Sequence, residues 1–408
     1  MPYGKSDIPD LRLERLQKLI TSFMTAPNLY LMGLFEESNA DSDVVKWESQ
    51  TGNRGMTPFA APGAPSQTVA PIGVKQESAM AAYWKEKIYF DEVFLNNLRK
   101  EGTDSTYLSA KARLARETLM LRNRCDRRKE WMFAQMLSGG TITYSAPKGI
   151  KVSVDYGVPS ANLVTLAASR YWDTGSNRNI LEDVMDAQLV IQNSIGAKID
   201  YALCPTEVLK MMILDKGIQA LLTKSSFGEG DLFARPVTVL KALLNIDNFV
   251  VYDEQYVITA WLTAKVTGAS TTTISVDDAT DFLAGGTLRF HDTSADTYED
   301  ETISSVDVDA GTITVSSAPT ASFKAYEDKV TMTKKFLPTT KFVMFASTVE
   351  GQKIAEFMKA PFGLNRMYGL QVDTHEEWDP DGVWVRVQNK GLPVLYNKDA
   401  MYVLTVTA

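Results

Sequence analysis

The chain has 408 residues, 45% of them apolar and 23% charged, which is the balance of a soluble globular protein and excludes a disordered or fibrous chain. Its length exceeds the ~250–300 residues at which one hydrophobic core stops growing, so the sequence predicts two or three packed units. The two cysteines, Cys125 and Cys204, are too far apart in the sequence to indicate a disulfide framework. The sequence has no run of about 18 consecutive apolar residues, so no membrane-spanning segment is expected.

The first elements in chain order are a short helix and a projecting arm. Apolar residues between Leu11 and Phe23 recur with helical spacing and predict a short N-terminal helix. A strand is predicted from Val44 onward, and the proline-rich stretch Pro58–Pro65 that follows is incompatible with a regular helix or a central strand. The aromatic-rich stretch Tyr83–Asp91 is typical of a returning strand. The segment is therefore expected to form a hairpin arm suited to grasping a neighbouring molecule.

One long helix is predicted to begin near Ser105 or Ser109 and to end at Gly139 and Gly140, about 30 residues or ~45 Å in length. One face of this helix is mainly apolar and is expected to pack on a sheet, namely Leu114, Thr118, Leu121, Cys125, Met132 and Met136. A second face is basic and consists of Arg113, Arg116, Arg124 and Arg127.

Two interpretations of the basic face stay open. It is either a solvated surface with local ion pairs, or a stripe that faces polyphosphate or an acidic neighbour, since arginine binds phosphate without sequence-specific geometry. The helix has too few basic residues, and no aromatic residues interleaved with them, for a dedicated nucleic-acid-binding motif.

Helices and strands alternate in the middle of the chain. Asn179 followed by Glu182 forms a capping box for a helix that is expected to end at Gly196. The same patterns predict a strand at Tyr201–Cys204, helices at Thr206–Leu222 and Leu232–Leu244, and later strands at Asp381–Val387, Gly391–Leu395 and Ala400–Val406.

Acidic residues are concentrated in Ala264–Ala325, which has ten acids against three bases and so carries −7 of the net charge of −8. Short β-branched runs and glycine turns in this segment predict a small all-β module of about 60 residues. The flanking stretches Asn248–Tyr252 and Lys341–Phe345 resemble strands of one sheet. The module is therefore expected to be inserted into a hairpin of that sheet, where a long loop costs little closure entropy.

Residues for catalysis or for cofactor and metal binding are not indicated. The two histidines, His291 and His375, lack metal-ligand spacing and a serine or cysteine partner. Gly228–Asp231 lacks the third glycine of a phosphate loop, and Asp307–Gly311 suits a hairpin turn better than a calcium loop. The sequence therefore predicts a protein that is not an enzyme and needs no cofactor.

Five segments in a fixed order carry a resemblance to a known family. They are the loop Thr57-Pro58-Phe59 to Pro62-Gly63 with Ala70-Pro71, the return Tyr83–Asp91, the helix motif Arg122-Asn123-Arg124 to Arg127-Arg128, Val154–Gly157, and Gly391–Val394. Their order resembles the major capsid proteins of tailed bacteriophages, specifically the lambda-type capsid E group with the Hong Kong 97-type fold.

The resemblance implies an α+β fold of the Hong Kong 97 type with an inserted small all-β domain, immunoglobulin-like or barrel-like. The implied domains are an N-terminal arm (residues 1–45), an extended loop or E-loop (46–92), a peripheral domain with the long spine helix (93–154), an axial α/β domain (155–263), the inserted acidic domain (264–325) and the return strands (326–408). Too few residues precede the loop for a fused scaffolding domain, so a separate scaffolding protein is implied.

By the same resemblance, the chain is expected to self-assemble into hexamers and pentamers of an icosahedral phage head around double-stranded DNA. Its implied partners are copies of itself, portal, scaffolding and decoration proteins, and DNA bound non-specifically by Arg113, Arg116, Arg124 and Arg127. Its implied location is the virion, after assembly in the host cytoplasm.

Six residues of the extended loop are expected to contact a neighbouring subunit, namely Trp47, Pro58, Phe59, Pro62, Tyr83 and Trp84. The aromatic ones have a second interpretation, in which they support the strands of the loop itself. Two alternative functions also stay open. The Thr/Ser-rich module favours a surface glycan-binding, adhesion or decoration protein, and the fold is shared with encapsulin-like nanocompartment shells.

Overall fold

A computed structural model describes residues 11–23, 28–50, 56–57, 59, 68, 74–94, 104–146, 150–222, 229–379 and 381–407. The helices are α1 (Leu13–Ser22), α2 (Leu31–Leu34), α3 (Asp104–Gly139), α4 (Ile180–Ile195), α5 (Thr206–Ile213), α6 (Lys216–Leu222), α7 (Glu229–Ala234) and α8 (Pro236–Leu244).

Strands outnumber helices in the described part of the chain. They are β1 (Glu37–Asn39), β2 (Val44–Gln50), β3 (Val74–Met80), β4 (Ala82–Asp91), β5 (Thr141–Ala146), β6 (Ile150–Asp155), β7 (Leu163–Thr165), β8 (Tyr201–Cys204), β9 (Asn248–Val251), β10 (Gln255–Trp261), β11 (Thr273–Ser275), β12 (Thr287–Asp292), β13 (Thr297–Asp307), β14 (Thr312–Val315), β15 (Lys329–Lys335), β16 (Lys341–Phe345), β17 (Thr348–Val349), β18 (Gln352–Lys353), β19 (Ala355–Lys359), β20 (Gln371–Trp378), β21 (Asp381–Leu395) and β22 (Met401–Thr405).

The predicted long helix is confirmed as α3, which has 36 residues and therefore a length of about 54 Å. All six residues of its predicted packing face are buried. The capping box is confirmed as well, because the Asn179 side chain accepts a hydrogen bond from the Glu182 N–H at the start of α4, which ends at left-handed Gly196.

Two segments that were each predicted to be one continuous helix are divided into two helices, so these predictions are wrong. Thr206–Leu222 is divided into α5 and α6, because the Asp215 carboxylate accepts a hydrogen bond from the Ile218 N–H at 2.9 Å and so starts a new helix. Leu232–Leu244 is divided into α7 and α8 by Pro236, which has no N–H and clashes with a preceding helical turn.

The first sheet, here called the long-strand sheet, is organised by the 15-residue strand β21. Its first part pairs with β4 on one side and β20 on the other, and its last residues pair with β19, which pairs in parallel with β1. The two strands predicted at Asp381–Val387 and Gly391–Leu395 are therefore one strand. Pro393 lies in the part that pairs with β19, beyond the last β4 partner at Gly391, where a missing N–H costs least.

Helices α1 and α3 cover one face of the long-strand sheet. The shared hydrophobic cluster contains Leu16 and Ile20 of α1, Leu121 of α3, and Val383 and Val385 of β21. This packing follows from the period-two alternation of β21, which places its valines on the helix side.

The second sheet, here called the body sheet, has the order β7-β22-β16-β8-β9. Strands β9 and β16 belong to one sheet, as predicted, but β8 lies between them and pairs with both. The prediction that the acidic segment is inserted into a hairpin of this sheet is therefore wrong, because the strands before and after it are not neighbours. The body sheet belongs to the largest hydrophobic cluster, together with α4–α8 and the C-terminal part of α3.

The third sheet, here called the module sheet, is antiparallel with the order β10-β15-β12-β13-β14-β11. It has a hydrophobic cluster of its own, and a bridge between Leu262 and Val276 brings its two outer strands together. Strands β10 and β15 lie outside Ala264–Ala325 and connect this sheet to the body. The turn predicted at Asp307–Gly311 is confirmed, because Asp307 Oδ1 accepts a hydrogen bond from the Ala310 N–H at 2.9 Å between β13 and β14.

Candidate assembly surfaces

Strands β2 and β3 form a two-stranded hairpin. Seven residue pairs join the strands antiparallel, from Val44 opposite Met80 to Gln50 opposite Val74. Neither strand pairs with another sheet among the described residues. Met80 is exposed at the base, and Met56 and Phe59 are almost fully exposed beyond the strand ends. The hairpin therefore presents apolar side chains to its surroundings.

The predicted contact residues of the hairpin differ in where the structure places them. Trp47 is buried, with its ring 6.0 Å from that of Tyr156. Phe59 has no side-chain burial at all. Pro58 and Pro62 lie outside the described residues. Because Trp47 is already buried within its own chain, Phe59 has more surface to offer a neighbour than Trp47 does.

Tyr83 and Trp84 follow on β4 and point to opposite faces, as successive strand residues must. Tyr83 is exposed, and its hydroxyl donates a hydrogen bond to Gln388 Oε1 at 2.6 Å. Trp84 faces inward against Phe357 at 6.4 Å, and its indole N–H has no acceptor among the described residues. The roles of Trp47, Phe59, Tyr83 and Trp84 at a subunit contact stay predictions.

The four predicted arginines of α3 all lie on the exposed side of the helix, and this set is here called the arginine stripe. Arg124 makes two hydrogen bonds with the carboxylate of Glu86 on β4, one of them 2.7 Å long. Arg113 lies over the Phe94 ring at 5.3 Å. Arg113, Arg116 and Arg127 have no carboxylate partner within the described ranges. Among the described residues, one charge of the arginine stripe is thus neutralised and three have no carboxylate partner.

The remaining charged residues of the helix motif have internal partners. Arg122 Nη1 donates to the carbonyl oxygens of Ile20 and Phe23 at the end of α1, and its Nε donates to Asp126 at 3.3 Å. A guanidinium at this position satisfies carbonyl groups that a helix end leaves without partners. Arg122 therefore fastens the N-terminal helix to α3.

Comparison with known proteins identifies the family. The sequence profile described as phage major capsid protein E matches residues 16–304 of this chain. The chain belongs to the phage major capsid protein E family. This capsid protein is therefore a structural subunit of a phage head. No curated protein sequence matches it.

Two solved structures share the fold of this capsid protein. A phage-related protein of Bordetella bronchiseptica has a TM-score of 0.52 and 11% identity, over 96% of this chain and 95% of that one. A protein of an Escherichia coli prophage, assigned as its capsid protein, has a TM-score of 0.53 and 11% identity, over 97% and 99% of the two chains. At such low identity the likeness shows a common mixed α and β fold.

A buried carboxylate that was not predicted from the sequence connects α3 to α2 and to Tyr252 in the capsid protein. Glu130 of α3 is completely buried and accepts hydrogen bonds from the backbone N–H groups of Leu31 at 2.8 Å and Met32 at 2.7 Å, and from the Tyr252 hydroxyl. Burial raises the pKa of the Glu130 carboxyl above its usual value. The only sequence signal is a single acid at the start of the apolar run that ends α3.

Arg128 connects α3 to the module sheet. Its guanidinium lies 4.8 Å from the ring centroid of Tyr144 and 5.2 Å from that of Trp131, and 3.7 Å from the Asp281 carboxylate. Burial raises the pKa of the Asp281 carboxyl, which Arg128 counteracts. Arg128 therefore serves a structural contact between body and module rather than the arginine stripe.

Within the described ranges, no three His, Cys, Asp or Glu side chains are grouped closely enough to hold a metal ion. Among the same residues, no helix has the length and apolar character needed to cross a membrane. Both cysteines are buried and unpaired, and burial raises the pKa of the Cys125 thiol to about 12.

Proposed function

We propose that this capsid protein forms the hexamers and pentamers of an icosahedral head with the Hong Kong 97-type arrangement. In this arrangement residues 1–45 are the N-terminal arm, 46–92 the extended loop, 93–154 the peripheral domain, 155–263 the axial domain, 264–325 the inserted domain and 326–408 the return strands. The observation that carries the proposal is the 36-residue helix α3 packed on the long-strand sheet beside the separate hairpin β2–β3, in a chain of the capsid family.

The hairpin is proposed to extend over a neighbouring subunit. A shell without covalent links needs a large buried area between subunits, and a projecting arm adds area beyond the ~1,600 Å² of a standard interface. The exposed side chains of Phe59 and Met56 supply the apolar surface that such a contact buries. Further partners proposed for the shell are portal, scaffolding and decoration proteins.

The arginine stripe is proposed to face packaged double-stranded DNA. Arg113, Arg116 and Arg127 are exposed, and no ion pair in the described part of the chain competes with phosphate for them. Each arginine that neutralises a phosphate releases counterions, which favours binding without sequence preference. Arg124 contributes less, because Glu86 already neutralises it.

Electron microscopy of the purified full-length chain tests the proposed assembly. Icosahedral shells, or rings of five and six subunits, are the expected particles, and a chain that remains monomeric at high concentration contradicts the proposal. Phe59→Asp should reduce the yield of assembled particles, because it places a charge in the proposed contact. The matched control is Tyr326→Asp, which alters an exposed aromatic residue of the module and should leave the yield unchanged.

A further inference from the structure

The outer face of the module sheet carries a row of side chains that the capsid function does not use. Trp261 of β10 is paired with Lys329 of β15, Lys329 with His291 of β12, and His291 with Tyr298 of β13. Residues paired across antiparallel strands project from the same face. With strands about 4.8 Å apart, the row is ~14 Å long. Trp261 is 44% exposed and Tyr298 is 57% exposed.

Polar contacts fix the rings of this row. The His291 and Tyr298 rings are stacked, with centroids 4.4 Å apart. Asp296 Oδ1 accepts a hydrogen bond from the Tyr298 hydroxyl at 2.9 Å and lies 3.0 Å from His291 Nε2. Lys329 Nζ lies 5.8 Å from the Trp261 ring centroid. The exposed rings are therefore held in place by side-chain contacts.

Another exposed aromatic residue, Tyr326, lies at the same end of the module sheet. Tyr326 is 77% exposed, and its backbone N–H donates to the carbonyl oxygen of Leu262, the residue after Trp261. We call Trp261, His291, Tyr298 and Tyr326 the aromatic platform.

The aromatic platform lies at the end of the module sheet that is farthest from the body. Strands β10 and β15 leave the body where Gln255 is paired with Lys335, and Trp261 is paired with Lys329 six residues further along. Six residues of antiparallel strand span about 20 Å. At the near end, Lys335 forms ion pairs with Glu207 and Asp253 of the body. The platform is thus held away from the rest of the chain.

We propose that the aromatic platform binds a neutral carbohydrate. The C–H faces of sugar rings stack on exposed aromatic rings, and their hydroxyls bond to fixed polar groups. The adjacent row supplies such groups in Thr259, Thr331, Arg289 and Asp300, which are paired in register on the same face. Arg289 and Asp300 are themselves joined by two hydrogen bonds of 2.7 Å.

The negative charge of the module favours an uncharged ligand. The segment Ala264–Ala325 carries a net −7, which repels nucleic acids and sulfated or sialylated glycans. Lys329 separates the Trp261 ring from the stacked pair His291 and Tyr298, so the rings do not form the continuous apolar centre of a protein interface. A short neutral oligosaccharide can stack on the rings and form hydrogen bonds with the polar groups at the same time.

An array of immobilised glycans tests the proposal with the labelled full-length chain. The array holds mannan, galactomannan, β-glucan and N-acetylglucosamine oligomers, together with sialylated and sulfated glycans. The expected result is binding to at least one neutral glycan. Trp261→Ala and Tyr298→Ala should each weaken that binding at least tenfold, whereas Trp261→Phe, which keeps an aromatic ring, should weaken it less.

The matched control is Val257→Ala. Val257 is an exposed residue on the same face of β10, near the body, and its replacement should leave glycan binding unchanged. Circular dichroism establishes that each variant is folded. The proposal is overturned if no neutral glycan is bound, if binding is confined to charged glycans, or if both the Trp261→Ala and Tyr298→Ala variants bind as tightly as the unmodified chain.

Discussion

Charged residues on the two sides of helix α3 differ in whether they have partners in the described part of the chain. On the buried side, Arg122, Asp126, Lys129 and Glu130 each have a partner within the chain. On the exposed side, three of the four residues of the arginine stripe have no carboxylate partner in the described part of the chain. One helix therefore contains charges that are paired within the fold and charges that have no carboxylate partner among the described residues.

This difference follows from the cost of burying charge. An ion removed from water loses several kcal/mol of solvation unless hydrogen bonds replace it, so a buried charge without partners is not tolerated. An exposed arginine has no such cost and can stay unpaired. Substitutions on the buried side should change stability, and substitutions on the exposed side should change binding.

The largest effect on stability is expected for Glu130→Ala. The substitution leaves the N–H groups of Leu31 and Met32 and the Tyr252 hydroxyl without their acceptor, at about 1–3 kcal/mol for each buried group. The substitution also removes the cost of burying a carboxylate, which offsets part of this loss. We therefore expect a net loss of about 3–5 kcal/mol in the free energy of unfolding. Urea denaturation followed by tryptophan fluorescence measures it. A loss below about 1 kcal/mol would contradict the assigned role.

Glu130→Gln is the matched control, because glutamine keeps an acceptor oxygen, and it also tests the pKa. The raised pKa of Glu130 means that its contribution to stability is complete below the ordinary carboxyl pKa and is lost as pH rises through the folded-state pKa. Gln does not titrate. The stability of Glu130→Gln relative to the unmodified chain should therefore increase from about pH 4 to pH 7, and an opposite slope would show a lowered pKa.

An intermediate effect is expected for Arg122→Ala. The change removes the donor for the carbonyl groups at the end of α1 and leaves the buried Asp126 without its cation. We expect a loss of about 2–3 kcal/mol in the free energy of unfolding. Arg122→Lys should recover only part of it, since an ammonium lacks the guanidinium fork. Hydrogen exchange should locate the loosening in α1, and exchange spread evenly over the chain would contradict this assignment.

The smallest effect on stability is expected for the double variant Arg116→Glu and Arg127→Glu. Exposed charges without partners contribute within about 0.5 kcal/mol. DNA binding should nevertheless weaken, and the slope of log K against log salt should fall by about 0.9 for each phosphate that is no longer neutralised. Lys265→Glu, an exposed charge reversal in the module, is the control and should bind as the unmodified chain does. Equal binding by all three proteins would exclude the arginine stripe as the DNA-binding surface.

Local patterns predicted the long elements well. The apolar period of α3 and the capping box at Asn179 are confirmed, because both depend on residues within a few turns of each other. The same patterns predicted that the acidic segment forms β-structure, although β10 and β15 of the module sheet lie outside it. Tertiary pairing decides such boundaries, since a strand can pair with whatever partner the chain brings beside it.

The features that the sequence did not predict depend on contacts between distant residues. Glu130 is separated from Leu31 by 99 positions and from Tyr252 by 122, so no spacing rule connects them. The position of β8 between β9 and β16 is likewise a property of the sheet, and it made the predicted hairpin wrong. The exposure of the arginine stripe, by contrast, followed from helical periodicity alone.

The attachment of the module has a practical consequence. The chain enters and leaves it at Gln255 and Lys335, which face each other across one pair of strands with Cα atoms about 5 Å apart. Any folded insert whose own ends lie that close together has the geometry to be grafted there without displacing the strands of the body sheet. Each particle built from such a chimera would carry as many copies of the foreign domain as it has subunits, at a fixed spacing.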